Sequence, residues 1–285
     1  MRRFTILFLL LSLLVTSGCS SLLFYPTREM VHNPVHDRFP HKDIYFPSKD
    51  GVRLHAWFFP ASGKSRGTVL VMHGNAENLS RHINSVLWLV QDGFNLFIFD
   101  YRGFGLSEGK PTLPGVHRDA AAALEQALAL PETGEKGLVV LGQSIGGAIA
   151  VHTLATSPHR SRVALLAIDS TPASYRLIAR EKLAGFFLTW PLQYPLSWLF
   201  DDDYSPDRHI GNLSPLPVLI MQGRQDPVVT EHHGELLLAA AKEPKEYWTT
   251  APEGHVMSFA DGNLRNRFAE TIAGHLSPKT QKGLR

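Results

Sequence analysis

From Gly67 onward the chain alternates short, almost uninterrupted apolar runs with longer stretches of helical periodicity. The runs 68–72, 96–99, 138–141, 163–168 and 218–221 have no polar face, as strands buried on both sides of a mainly parallel sheet require. Between them, 79–91, 116–130, 145–156 and 231–241 predict crossover helices. Pro131 stops the second, and Pro158 follows the third. Segments 43–46 and 53–59 predict two earlier strands, separated by an Asp50-Gly51 turn signal, and 246–249 predicts a last one. This alternation predicts one open α/β sheet with its ligands at the carboxyl ends of the strands. Internal repeats and coiled-coil heptads are absent from the sequence.

Residues 173–214 interrupt the alternation with aromatic, proline-broken sequence, from Gly185 to Pro191 and again from Tyr194 to Phe200. An insertion here predicts a cap: either a lid over the strand ends or helices packed on the sheet. Both bury aromatic side chains, and the pattern leaves them open. Asp201-Asp202-Asp203 has the composition of a metal cluster, but adjacent side chains do not converge, and a solvated turn is the expected structure.

The N-terminus has a different pattern. Arg2 and Arg3 precede an apolar run over 4–15, then small residues ending at Cys19. This order predicts a secretory signal over 1–18, too short for a comfortable membrane span. With Ser17-Gly18-Cys19, and Thr16 where Leu is usual, it resembles a bacterial lipoprotein signal. The resemblance implies cleavage before Cys19, acylation of that residue, and a lipid-anchored protein of the cell envelope. Ser20 implies the outer membrane, facing the periplasm. Residues 19–42, rich in Pro and His, read as a tether or surface arm, and 276–285 as a tail. The formal charge is +2, from 28 basic and 26 acidic side chains. Arg2 and Arg3 supply that excess, so the mature chain is balanced and no basic surface for nucleic acid is expected. The single cysteine excludes an internal disulfide.

The candidate chemistry lies at the strand ends. The run 138–141 enters Gly142-Gln143-Ser144-Ile145-Gly146, a G-x-S-x-G sequence between a predicted strand and a predicted helix. In so tight a turn, side chains two places either side of Ser144 would clash. The helix that begins there directs backbone N–H groups and its positive end towards the hydroxyl. A serine nucleophile needs a base, and the base an orienting acid. Asp226 follows the run 218–221, and His255 follows 246–249, so both fall on the sheet edge that carries Ser144. Among fourteen histidines, His73 also ends a strand, but it precedes Gly74 and suits a wall of the site. Asp100 and Asp169 also end strands; Asp226 is preferred because it directly precedes the His255 unit. One oxyanion donor is expected from the backbone N–H of Ile145 and a second from the loop at 73–78. Asn75 is the choice there and Ala76 the rival.

Together, His73-Gly74-Asn75-Ala76, the segment 100–107, the segment 142–147, Gly223-Arg224-Gln225-Asp226 and Gly254-His255 resemble the motifs of α/β-hydrolases. The similarity is to the compact, small-cap branch of serine esterase and peptidase type, over about 43–275. It implies the α/β-hydrolase fold and a Ser144–His255–Asp226 triad, which needs no metal or organic cofactor; the aromatic cap and a membrane location favour a small-molecule or lipid-like acyl ester or thioester as substrate. In 100–107 the glycines are expected to shape a loop near the pocket. Peptidase or amidase activity on the same triad, or a non-catalytic envelope lipoprotein, are the alternatives.

Other motifs fail on spacing. Ser62-Gly63-Lys64-Ser65 lacks the first glycine of a phosphate loop, Gly103-Phe104-Gly105 lacks the third of a dinucleotide loop, and no H-E-x-x-H occurs.

Overall fold

A computed structural model of the protein describes residues 23–33, 36–134, 137–251 and 253–277. The expected signal over 1–18 and Cys19 lie outside the described residues. Eight strands form one sheet: β1 (Lys42–Pro47), β2 (Arg53–Phe59), β3 (Thr68–Met72), β4 (Asn95–Asp100), β5 (Leu138–Gln143), β6 (Val163–Asp169), β7 (Val218–Gly223) and β8 (Lys245–Thr250). Their spatial order is β1-β2-β4-β3-β5-β6-β7-β8. β1–β2 and β2–β4 are antiparallel pairs, and the remaining pairs are parallel. β3, β4, β5 and β7 are buried along their whole length, which accounts for their continuous hydrophobicity. β1, at the edge, is largely exposed.

The helices are α1 (Leu79–His82), α2 (Trp88–Gln91), α3 (Leu113–Ala129), α4 (Ile145–Thr156), α5 (Tyr175–Ala184), α6 (Gln193–Ser197), α7 (Pro206–His209), α8 (Glu231–Ala240) and α9 (Gly262–Leu276). Alternate strand residues feed two cores. Leu70, Met72 and Val140 pack with α3, α4 and α8 on one face of the sheet. Val69, Val71, Val139 and Leu141 pack with α1, α2 and α9 on the other. The connections from β3 to β4 and from β4 to β5 carry the chain to opposite sides of β3. The strand order therefore reverses at β3–β5, and a crevice opens above the carboxyl ends of those two strands, where open α/β sheets bind ligands.

Two elements depart from the sequence pattern. The helix expected over 79–91 is divided into α1, a 3-10 turn at Ile83–Ser85, and α2. Asn84 Nδ2 donates to the Arg81 carbonyl and Ser85 Oγ to the His82 carbonyl, so side chains occupy acceptors that a continuous helix would use. The C-terminal helix α9 was not anticipated. Asp261 caps it, accepting from the Asn263 N–H, and Phe268, Ile272 and Leu276 form its buried stripe.

The 173–214 insertion folds as α5, α6, α7 and intervening turns. Its two ends are tied by Asp202, which accepts from the hydroxyls of Ser174 and Ser205 and from the Arg176 N–H. The acidic triplet is therefore not a solvated turn throughout: Asp202 is buried, because closing the insertion needs one acceptor for donors from both ends. No metal-binding cluster of His, Cys, Asp and Glu occurs among the described residues.

Candidate active site

β5 ends at Gln143, and α4 begins at Ile145, so a single residue must turn the chain from strand to helix. Ser144 does so at φ 54°, ψ −124°, a strained conformation for a residue with a Cβ. The close approach that this turn creates explains its glycines. A Cβ on Gly142 would lie 2.5 Å from Gly147 Cα, and one on Gly146 would lie 2.0 Å from the Met72 carbonyl oxygen. The Ser144 N–H donates to the Asp169 carbonyl, which anchors the turn to β6.

Ser144, His255 and Asp226 converge. His255 Nε2 lies 2.8 Å from Ser144 Oγ, and His255 Nδ1 lies 2.8 Å from Asp226 Oδ2. The other Asp226 oxygen, Oδ1, accepts the N–H groups of Val228 and Val229. Burial raises the pKa of this carboxyl, but the His255 hydrogen bond and the two N–H donors together outweigh it and hold the group below its usual value. An ionised carboxylate can only accept. Nδ1 of His255 therefore carries the hydrogen, and Nε2 is left to accept the Ser144 hydroxyl proton.

The rival acids are engaged elsewhere. Asp100 accepts the Leu79 N–H and faces His73 Nε2 at 3.3 Å. Asp169 accepts the Ser258 hydroxyl at 2.6 Å, and complete burial pushes its pKa up to about 6. It lies beneath the His255 loop, where the Val256 N–H meets Ser170 Oγ. Val256 itself has φ 57°, rare for a β-branched residue, so strain is stored beside the histidine. His73 is buried, its Nδ1 donating to the Gly74 carbonyl, and Phe104 packs on its ring. The 100–107 loop thus backs His73 from behind the cavity wall, and none of its residues lines the cavity itself. Its conformation follows from burial of Arg102, which pairs with Asp50 and Asp119.

Asn75 and Ile145 both line the cavity at Ser144, and Gly74 is 3.4 Å from Ser144 Cβ when given a Cβ of its own. The Ala76 N–H donates to Asn75 Oδ1 at 2.8 Å.

The pattern gave no sign that the N-terminal arm contributes to the site. Leu23 and Tyr25 line the cavity. Asn75 Nδ2 donates to the Leu23 carbonyl, and Asn75 Oδ1 accepts the Tyr25 N–H. Farther along, Asn78 Nδ2 donates to the carbonyls of Thr27 and Glu29, and the Val31 N–H donates to Ser80. Residues 23–33 are therefore a strap laid across the 73–80 loop rather than a free tether.

The cavity is a cleft of about 1100 Å³ with Ser144 in its wall. Apart from Ser144, His255 and a rim of polar groups, it is lined by apolar side chains such as Leu23, Ile178, Leu183, Phe200, Val228 and Met257. The inner side of α5 contributes to this lining, so the cap roofs the cleft. Cap and body are joined by buried His233 of α8, whose Nδ1 accepts the Ala173 N–H and whose Nε2 donates to Glu181 of α5. Of the aromatics between α5 and α7, Tyr204 packs against the core beside His117 and His152, whereas Phe187 and Trp198 are 76% and 69% exposed.

A family profile described as serine aminopeptidase, S33, matches residues 63–193. The uncharacterized protein YfhR of Escherichia coli strain K12 is 33% identical over 263 residues, covering 90% of this chain and 88% of that protein. The α/β-hydrolase domain-containing protein WAV2 of Arabidopsis thaliana is 33% identical, covering 78% and 74%. Among solved structures, a Pyrococcus furiosus esterase superposes with TM-score 0.69 at 20% identity, over 89% of this chain and 97% of that one. At that identity the likeness concerns the fold, whereas the sequence relatives extend over nearly the whole described chain. The chain belongs to the α/β-hydrolase superfamily.

Proposed function

We propose that the protein is a serine hydrolase that cleaves an acyl ester or thioester through an acyl-serine intermediate. The observation that carries this reading is the Asp226–His255–Ser144 relay, with both contacts at 2.8 Å, opening into an apolar cleft of acyl-chain size. His255 Nε2 takes the Ser144 proton as Oγ attacks the acyl carbonyl carbon. The resulting oxyanion rests on the backbone N–H groups of Asn75 and Ile145. The bond to the leaving group breaks, and His255 returns the proton to that group. Water then attacks the acyl-serine, giving its proton to His255, which passes it to Ser144 as the acid departs. Asp226 holds the required tautomer and stabilises the imidazolium in both halves.

The aminopeptidase reading requires a carboxylate to receive the substrate's α-ammonium group. Among the described residues lining the cleft, Glu77 is the one carboxylate, and it is paired with Arg81 at 3.1 Å. The apolar lining therefore favours an acyl chain. Attachment to the envelope through Cys19 is part of the same proposal and rests on the sequence alone. A fluorophosphonate probe should label the wild-type protein and not Ser144→Ala. A p-nitrophenyl ester series should show preference for longer acyl chains over an aminoacyl anilide. Equal labelling of both proteins, or a preference for the anilide, would overturn the reading.

A further inference from the structure

The cap exposes an apolar surface that nothing in the chain covers among the described residues. Within one short stretch Phe187, Leu188, Trp190, Leu192, Tyr194 and Trp198 are all more than half exposed. Isolated surface hydrophobes are ordinary, but six large ones within a dozen positions mark an interaction surface. Two tryptophans and a tyrosine among them are the residue types that settle at a membrane–water interface.

The surrounding charges fit an anionic lipid surface. Arg180 stacks over the Tyr194 ring at 5.4 Å, and Lys182 is exposed at the mouth of the cleft. Glu181, between them, turns inward to His233. Of the acids that follow the patch, Asp202 is withdrawn onto Ser174 and Ser205, Asp203 is exposed and faces Arg208, and Asp201 is exposed.

The position of the N-terminal chain selects a bilayer over other occupants. Leu23 lines the cleft that the cap roofs, alongside Ile178 and Lys182 of α5. Cys19 is four residues upstream of Leu23, and the apolar run ends at Val15, eight residues upstream. An extended chain spans about 14 Å and about 28 Å over those lengths. With the chain anchored as proposed, through acyl chains on Cys19 or through the apolar run itself, the membrane lies within that reach of the cleft mouth.

We infer that the exposed aromatic face of the cap, Phe187–Trp198, docks on an anionic phospholipid bilayer and turns the cleft towards the lipid phase. The tether and this face act as two weak signals that together fix orientation, as stable surface anchoring requires. On the proposed serine-hydrolase reading, the acyl substrate enters from the bilayer. The docking rests on the proposed N-terminal anchor and not on the chemistry at Ser144.

The test uses the full chain reconstituted into phosphatidylcholine vesicles with and without phosphatidylglycerol, some containing phosphatidylcholine brominated along its acyl chains. Tryptophan emission should be quenched by the brominated lipid, more strongly when phosphatidylglycerol is present. Most of that quenching should disappear in Trp190→Phe/Trp198→Phe, which keeps the face apolar and leaves buried Trp57 and Trp248 as reporters of folding. Ser144→Ala should be quenched like the wild type, so a failure of the catalytic reading would not alter this result. Quenching that is absent, or equal in the wild type and the double variant, would overturn the inference. So would a wild-type dimer in detergent that Phe187→Ser/Trp198→Ser dissociates, since the face would then belong to a second copy.

Discussion

The side-chain amide of Asn75 donates to the carbonyl of Leu23 at 2.5 Å, joining the proposed oxyanion loop to the strap that arrives from the N-terminus. The same side chain accepts from the N–H groups of Tyr25 and Ala76. Ala76 and the next residue, Glu77, have φ values of 63° and 55°. One amide thus supports a loop that would not hold its shape on backbone preference alone. Asn75→Ala keeps the backbone N–H but removes its support. We expect kcat for a short-chain ester to fall about 10- to 100-fold with KM little changed, since a full oxyanion donor is worth about 10²–10³ in rate. Steady-state kinetics on the purified variant would check this. A rise in KM at constant kcat would show that Asn75 shapes the cleft rather than the donor.

Asp226 determines which nitrogen of His255 carries the hydrogen. Asp226→Asn can retain the contact while presenting an amide donor to Nδ1, which favours the tautomer unable to accept from Ser144. The expected loss in kcat at neutral pH is about 10³- to 10⁴-fold, the scale known for this substitution in a serine-protease triad. The rate of fluorophosphonate labelling should fall in parallel while the circular dichroism spectrum stays that of the wild type. Unchanged labelling would assign the orienting role to another acid, with Asp169 the nearest alternative.

Much of this arrangement is legible in the sequence because each part has a local signature. Strands buried on both faces leave uninterrupted apolar runs, and β2 and β3 fall at the residues expected. The turn at Ser144 needs glycines at 142 and 146 for steric reasons that hold in any such turn. The strap carries no such signature: its contacts are mostly backbone to side chain, from Asn75, Asn78 and Ser80, and depend on elements some fifty residues away. The division of the 79–91 helix depended on whether Asn84 and Ser85 would bond locally, which periodicity does not register. Asp202 was misjudged because its donors, Ser174 and Ser205, meet only after the cap has closed. The stripe of α9 is legible in the sequence, with Phe268, Ile272 and Leu276 at helical spacing.

The N-terminal expectation can be tested without the structure. If cleavage before Cys19 is coupled to acylation, globomycin should cause a larger precursor to accumulate in expressing cells, and Cys19→Ala should leave the protein unacylated. Metabolic labelling with an alkyne fatty acid, read on a gel, separates the forms. A single band of unchanged mobility that takes up no label in either condition would rule out lipidation.

The last prediction concerns Asp169, a carboxyl buried completely between Ser258, Ser170 and the relay. Burial raises its pKa from 3.8 to about 6. Below pH 3.8 it is protonated in the folded and unfolded chain alike. Between 3.8 and about 6 the unfolded chain ionises there while the folded chain holds its proton. The unfolded state binds fewer protons in that window, so this group lowers stability as pH rises and adds no further loss above it. Asp169→Asn cannot ionise, and its carbonyl can still accept from Ser258. Urea unfolding of both proteins across this range should show the variant gaining on the wild type by about 3 kcal/mol between the acid limit and neutral pH. A difference that stays flat with pH would mean that Asp169 titrates in the ordinary carboxylate range, and that the Ser258 and Ser170 hydroxyls offset its burial.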